Sequence, residues 1–65
     1  MQIYINQQVL ELAEGASLAD AIAQLHFVPP FAAAVNMQFI PQARYAETLL
    51  HANDKIDIIA PVTGG

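Results

Sequence analysis

The side chains able to do covalent or proton chemistry are few and scattered. His26 and His51 lie 25 residues apart, and no carboxylate is spaced beside either as a metal ligand would be. Ser17 has no nucleophile motif around it and reads as a helix N-cap. Thr48 and Thr63 have no evident base. Asp54 and Asp57 fall in or beside a strand and read as solvent-side charges rather than an acid/base pair. A phosphate cradle needs several glycines in one loop, and the only glycines are Gly15, Gly64 and Gly65.

Gly64 and Gly65 carry a different chemistry. Two residues without side chains are costly to order and add no packing, so stability gives no reason for them. They do make the thinnest peptide, and it ends in a main-chain carboxylate, ionised at neutral pH. The five residues from Pro61 can extend about 16 Å, at about 3.3 Å each. Such a tail can thread a narrow channel and place its carboxylate in a partner's active site. Attack on the α-phosphate of ATP would give an acyl-adenylate, which a sulfur or nitrogen nucleophile can open. No side chain of this chain is needed.

Composition narrows the classes further. The chain has 65 residues, 55% of them hydrophobic and 12% charged. It is therefore one small folded domain and not a disordered segment. Two cations stand against six carboxylates, for a formal charge of −4. The first cation is Arg44. Nucleic-acid binding needs clustered Lys and Arg, so no nucleic-acid partner is expected, and anionic membranes are disfavoured likewise. There is no cysteine, which removes disulfides, thiolate zinc sites and thiol nucleophiles. The N-terminus has no positive region, and the longest apolar stretch, from Phe27 to Val35, is too short to span a bilayer. The expectation is a cytoplasmic protein with no membrane association.

The elements that must present the tail follow from periodicity. Met1, Ile3 and Ile5 alternate with polar or aromatic residues, as in a half-buried strand. Asn6 to Gln8 is a polar break, and Leu10 and Leu12 then alternate with Val9 and Glu11, completing a hairpin. Ser17 and Asp20 have the spacing of a capping box. Leu18, Ala21, Ile22 and Leu25 make one apolar stripe on a helix that stops by Val28, before Pro29. Phe31 to Asn36 and Gln38 to Ile40 read as two strands around a turn at Asn36 and Met37, although three alanines weaken the first. Residues 43–50 are ambiguous, since Ala43, Ala46 and Glu47 favour helix while Thr48-Leu49-Leu50 fits an extended run. Asn53 and Asp54 are a turn pair, and Lys55 to Ala60 is the last strand, ended by Pro61.

Together these features are specific. The run Ala34-Val35-Asn36-Met37-Gln38-Phe39-Ile40-Pro41, then Tyr45, then Asn53-Asp54-Lys55-Ile56, resembles the ThiS pattern. That pattern is an Ala-Val/Ile-Asn strand end, a hydrophobic pair before proline, an aromatic, and a Gly-Asp-x-Ile turn. The chain thus resembles the ubiquitin-like β-grasp sulfur carriers over its whole length, above all the ThiS family of thiazole synthesis for thiamine. Asn53 stands where that family usually has glycine, a mild change because asparagine also reaches the left-handed conformation. Gln42 follows Pro41 where an arginine is common. The ending Pro61-Val62-Thr63-Gly64-Gly65 is equally similar to the MoaD small subunits of molybdopterin synthase, which are usually longer before the last strand.

The resemblance implies an α+β, ubiquitin-like β-grasp fold: a mixed four- to five-stranded sheet packed on one main helix. Residues 1–60 would form the domain and 61–65 a flexible Gly-Gly tail. It implies a protein co-substrate and not an enzyme, with no cofactor of its own. Gly65 would be adenylated by a ThiF-type adenylyltransferase, which binds the ATP and magnesium. A cysteine desulfurase system would supply sulfur to form a thiocarboxylate, and a ThiG-type thiazole synthase would take it up. Gly64 would be the spacer that lets the tail fit. If Ile3, Ile5, Ile56 and Ile58 face the helix, Tyr4 and Ile59 point outward, and with Phe39 and Val62 they would form a docking patch. The other readings are a molybdopterin synthase subunit, a protein modifier, and a β-grasp module whose tail is idle.

Overall fold

The computed structural model describes residues 1–27 and 29–59. β1 (Gln2–Ile5) and β2 (Gln8–Glu11) form the first hairpin. α1 (Leu18–Leu25) follows, then β3 (Ala32–Val35), β4 (Gln38–Ile40), a 3-10 turn over Gln42–Arg44, and β5 (Lys55–Ile59). The sheet has five strands in the order β2-β1-β5-β3-β4. β1 and β5 are parallel, and every other pairing is antiparallel. This is the expected mixed sheet on one helix.

Both hairpins close through two residues of positive φ, Asn6 (49°) with Gln7 (69°) and Asn36 (50°) with Met37 (69°). Paired positive φ values match the right-handed twist of the strands they join. Asparagine suits the first position. Gln7 and Met37 take up a conformation that costs an L-residue roughly 1–2 kcal/mol. Gly15, at φ 85°, turns the chain from β2 toward the helix. Asn53 sits at φ 70°, so the left-handed turn expected there is present with asparagine in place of glycine.

The N-terminus of α1 is fully satisfied. Ser17 Oγ accepts from the Asp20 amide at 3.2 Å, and Asp20 Oδ2 accepts from the Ser17 amide at 2.9 Å, completing the capping box. The next two free amides point at the ambiguous segment. Leu18 N–H donates to the Thr48 carbonyl at 2.8 Å, and Ala19 N–H to the Tyr45 carbonyl at 3.1 Å. A helix start leaves such donors without intrahelical partners. Residues 45–50 are thus neither helix nor strand. They are a strap whose carbonyls cap α1, closed by a single bridge between Leu49 and Ser17.

One apolar layer holds the molecule together. Ile3, Ile5, Ile56, Ile58 and Ala33 from the sheet are buried against Leu18, Ala21 and Ile22 of α1, with Leu12 and Leu50 at the margins. Leu25, expected in the stripe, is instead 37% exposed. Leu25 is the last helical residue, and His26 after it turns left-handed at φ 57°. Phe31 stacks on Tyr45 with ring centres 6.1 Å apart, and Phe27 lies against Phe31 at the same separation. All three rings pack on the core from its edge. Among the described residues no helix is long and apolar enough to cross a membrane.

Candidate functional site

The side chains that could have done chemistry are absorbed elsewhere. Ser17 caps the helix. The Thr48 hydroxyl donates to the Arg44 carbonyl at 2.7 Å. His26 is an exposed helix C-cap. His51 lies 3.9 Å from Asp54 Oδ2, but its side chain is 83% exposed. Asp54 is not a free surface charge, as the sequence suggested. Its two carboxylate oxygens accept from the His51 amide at 2.8 Å and from Asn36 Nδ2 at 3.0 Å. Asp57 is exposed, as expected. Among the described residues no group of three His, Asp or Glu could hold a metal ion.

What remains is the sheet face away from the helix and the strand that leads to the C-terminus. Alternation along β1 and β5 places Ile3, Ile5, Ile56 and Ile58 inward, as expected, and turns Tyr4, Lys55, Asp57 and Ile59 outward. The register then arranges the outer face in rows. Val9, Tyr4 and Lys55 form one row, and Asp57, Ala34 and Phe39 another. Ile59 lies opposite Ala32 at the end of the face toward the C-terminus.

Three of the four docking residues expected from sequence are therefore on one face. Phe39 and Ile59 are 65% and 62% exposed, while Tyr4 is half-buried, its hydroxyl accepting from Gln2 Nε2 at 3.2 Å. The fourth, Val62, lies outside the described residues, as do Gly64 and Gly65. Val9 was missed. It is 58% exposed and directly across from Tyr4, and only the hairpin register shows that the two share a face. Beside Tyr4 the face sinks into an open groove of about 740 Å³, with Lys55, Asp57 and Met37 on its walls.

The electrostatics are mixed. Lys55 and Asp57 stand two residues apart on the outer side of β5, in line with Ile59 on the same strand, with Val9 and Tyr4 to one side and Phe39 to the other. A partner that covers the apolar residues must also meet one charge of each sign. β5 is the central strand, flanked by β1 and β3. The strand held on both sides is thus the one continuing toward Gly64 and Gly65.

Comparisons with known proteins agree with this architecture. The ThiS family model matches residues 2–65. Sulfur carrier protein ThiS of Escherichia coli (strain K12) is 30% identical over 66 residues, a match covering 100% of each chain. The crystal structure of the thiamine biosynthesis protein (ThiS) from Geobacter metallireducens superposes with a TM-score of 0.83 at 14% identity, again over 100% of each chain. That likeness is one of fold, and it makes the five-stranded sheet on one helix a ubiquitin-like β-grasp. Of the two carrier families that the sequence resembled, the chain belongs to the ThiS family.

Proposed function

We propose that this chain is a sulfur carrier of thiamine biosynthesis, whose working group is the carboxylate of Gly65. The observation that carries the reading is the central position of β5 in a chain that ends Gly64-Gly65. Gly65 lies six residues beyond Ile59, a reach of about 20 Å when extended. That is enough to enter a partner's active site while the domain stays outside it.

The chemistry follows from the carboxylate. A ThiF-type adenylyltransferase, holding ATP and magnesium, would let the Gly65 carboxylate attack the α-phosphate, releasing pyrophosphate. The resulting mixed anhydride has AMP as its leaving group. The outer sulfur of a persulfide from a cysteine desulfurase system would attack the anhydride and displace AMP, and a thiol reductant would supply the two electrons that cleave the resulting acyl disulfide to the thiocarboxylate. A ThiG-type thiazole synthase would then accept the sulfur, and the chain would return with its carboxylate for another round. Gly64 keeps the tail thin next to the reacting carbon. Having no cysteine suits this scheme, since sulfur travels on carbon and no persulfide competes for it.

Docking would use the outer face, where Tyr4, Phe39 and Ile59 offer apolar surface close to the strand that continues into the tail. Exposed apolar surface on one face commonly marks a partner site, and here it is interrupted by Lys55 and Asp57. Binding on this face leaves the helix side and the core undisturbed.

The deciding measurement is the intact mass of the chain after incubation with the adenylyltransferase, ATP, magnesium and a sulfur source. The expected product is heavier by the difference between one sulfur and one oxygen atom. An unchanged mass, with an adenylyltransferase active on its own carrier, would overturn the proposal. Co-purification with a thiazole synthase, rather than with a molybdopterin synthase large subunit, is the expected pathway result.

A further inference from the structure

β1 and β5 pair in the parallel register Tyr4↔Lys55 and Ile5↔Ile56. Tyr4 N–H donates to the Asp54 carbonyl and Asn6 N–H to the Ile56 carbonyl, both at 2.9 Å. An evenly spaced parallel ladder would next send the Ile58 amide to the main-chain carbonyl of Asn6. That carbonyl is not its partner. Asn6 is the first residue of the turn, at φ 49°, and the chain has already left the strand direction. The Ile58 amide donates instead to the side-chain Oδ1 of Asn6, at 2.8 Å. The asparagine amide thus stands in for the missing rung. Ile58 is buried at 7% exposure, so an acceptor is required there.

We infer that Asn6 is a positioning residue that holds the exit end of β5 and so defines where the C-terminal segment begins. The inference rests on the sulfur-carrier reading above. Among the described residues, this is the last hydrogen bond that the β1 side gives to β5. On the other side Ile59 is in register with Ala32 of β3. With the bond in place, the segment to be threaded starts beyond Ile59. Without it, the strand end is held from one side only, and Ile58 and Ile59 join the length that a partner must order before the carboxylate can react.

Two properties suit asparagine to this task. It tolerates the left-handed conformation, and it carries a carbonyl oxygen on a short arm. Aspartate shares both. Glycine keeps only the first.

The experiment compares the wild-type chain with Asn6→Gly and Asn6→Asp. Each full-length carrier is assayed with the adenylyltransferase for kcat and, by calorimetry, for Kd. Amide exchange at Ile58 is followed in parallel. The expected result for Asn6→Gly is a kcat lower by about tenfold or more, because Ile58 and Ile59, no longer held from the β1 side, must be ordered before the carboxylate can react. Its Kd stays within about threefold, since the outer face keeps its residues. Exchange at Ile58 quickens while that at Ile3 does not. Asn6→Asp retains wild-type kcat and Ile58 protection. Equal kcat for wild type and Asn6→Gly, or an Asn6→Asp variant as slow as Asn6→Gly, overturns the positioning role alone. A wild-type chain that is never adenylated overturns the sulfur-carrier reading and this inference with it.

Discussion

Asn36 and Lys55 are tied to each other twice. The Asn36 amide donates to the Lys55 carbonyl at 2.7 Å, and the Lys55 amide donates to Asn36 Oδ1 at 3.0 Å. The other half of the same side chain, Nδ2, reaches Asp54 Oδ1 at 3.0 Å. One asparagine thereby joins the end of β3, the 51–54 turn and the first residue of β5. It is the counterpart of Asn6, which acts further along the same strand. Both ends of the strand that leads toward Gly64 and Gly65 are thus held by asparagines in left-handed turns.

Removing the Asn36 side chain tests that clip. Asn36→Gly keeps the left-handed backbone and loses the two side-chain bonds, which are exposed, so unfolding free energy should fall by about 1 kcal/mol. Asn36→Ala should lose about 2–3 kcal/mol, because the left-handed penalty is added. Urea denaturation measures both. A wild-type midpoint for Asn36→Ala would show that the clip does not stabilise the fold.

Met37 offers a gain. It is 93% exposed, makes no core contact, and sits at φ 69° in the second position of a two-residue turn. Met37→Gly relieves left-handed strain but loosens the unfolded chain, for a net stabilisation of about 0.5 kcal/mol. A thermal melt that moves downward would contradict this account of the turn.

Ile58 and Ile59 are neighbours with opposite duties. Ile58 is 7% exposed and belongs to the core, so Ile58→Ala should destabilise by about 2–4 kcal/mol. Ile59 is 62% exposed. Ile59→Asp should leave the melting temperature close to wild type while raising the Kd for the adenylyltransferase by roughly tenfold to a hundredfold. Unchanged affinity in calorimetry would remove Ile59 from the docking face.

Chain length at the C-terminus should matter more than any side chain. Deleting Gly65, or adding one residue after it, should abolish thiocarboxylate formation with the domain's denaturation curve unaltered. Intact mass spectrometry and a parallel urea titration give both answers. Sulfur loading of the extended chain without trimming would rule out the terminal carboxylate as the carrier group.

Much of the fold is legible in short-range patterns. Alternation in residues 1–5 and 55–59 identifies β1 and β5 and also says which residues face inward, because side chains on a strand switch faces at every step. The spacing of Ser17 and Asp20 identifies the start of α1, because a capping box is completed within four residues. The turn at Asn36 and Met37 is readable for the same reason. Residues 45–50 are not. Their structure depends on which unpaired donors they meet, and those belong to Leu18 and Ala19, more than 25 residues earlier. Leu25 misleads in the same way, since periodicity assigns it to the stripe without saying that the helix stops there.

The sequence alone determined that the given chain closes on a side-chain-free Gly64-Gly65 and holds no cysteine, since both are matters of composition and order. Which residues surround the strand leading there is another matter. β1 lies beside β5 although some fifty residues separate them, and Asn6 bonds Ile58 across that gap. Val9 shares a face with Tyr4 only through the hairpin register. A hydrogen-bond ladder is a relation between distant segments. Local propensity carries no information about which strand will sit next to which, and the choice is made by burying one continuous apolar layer under α1.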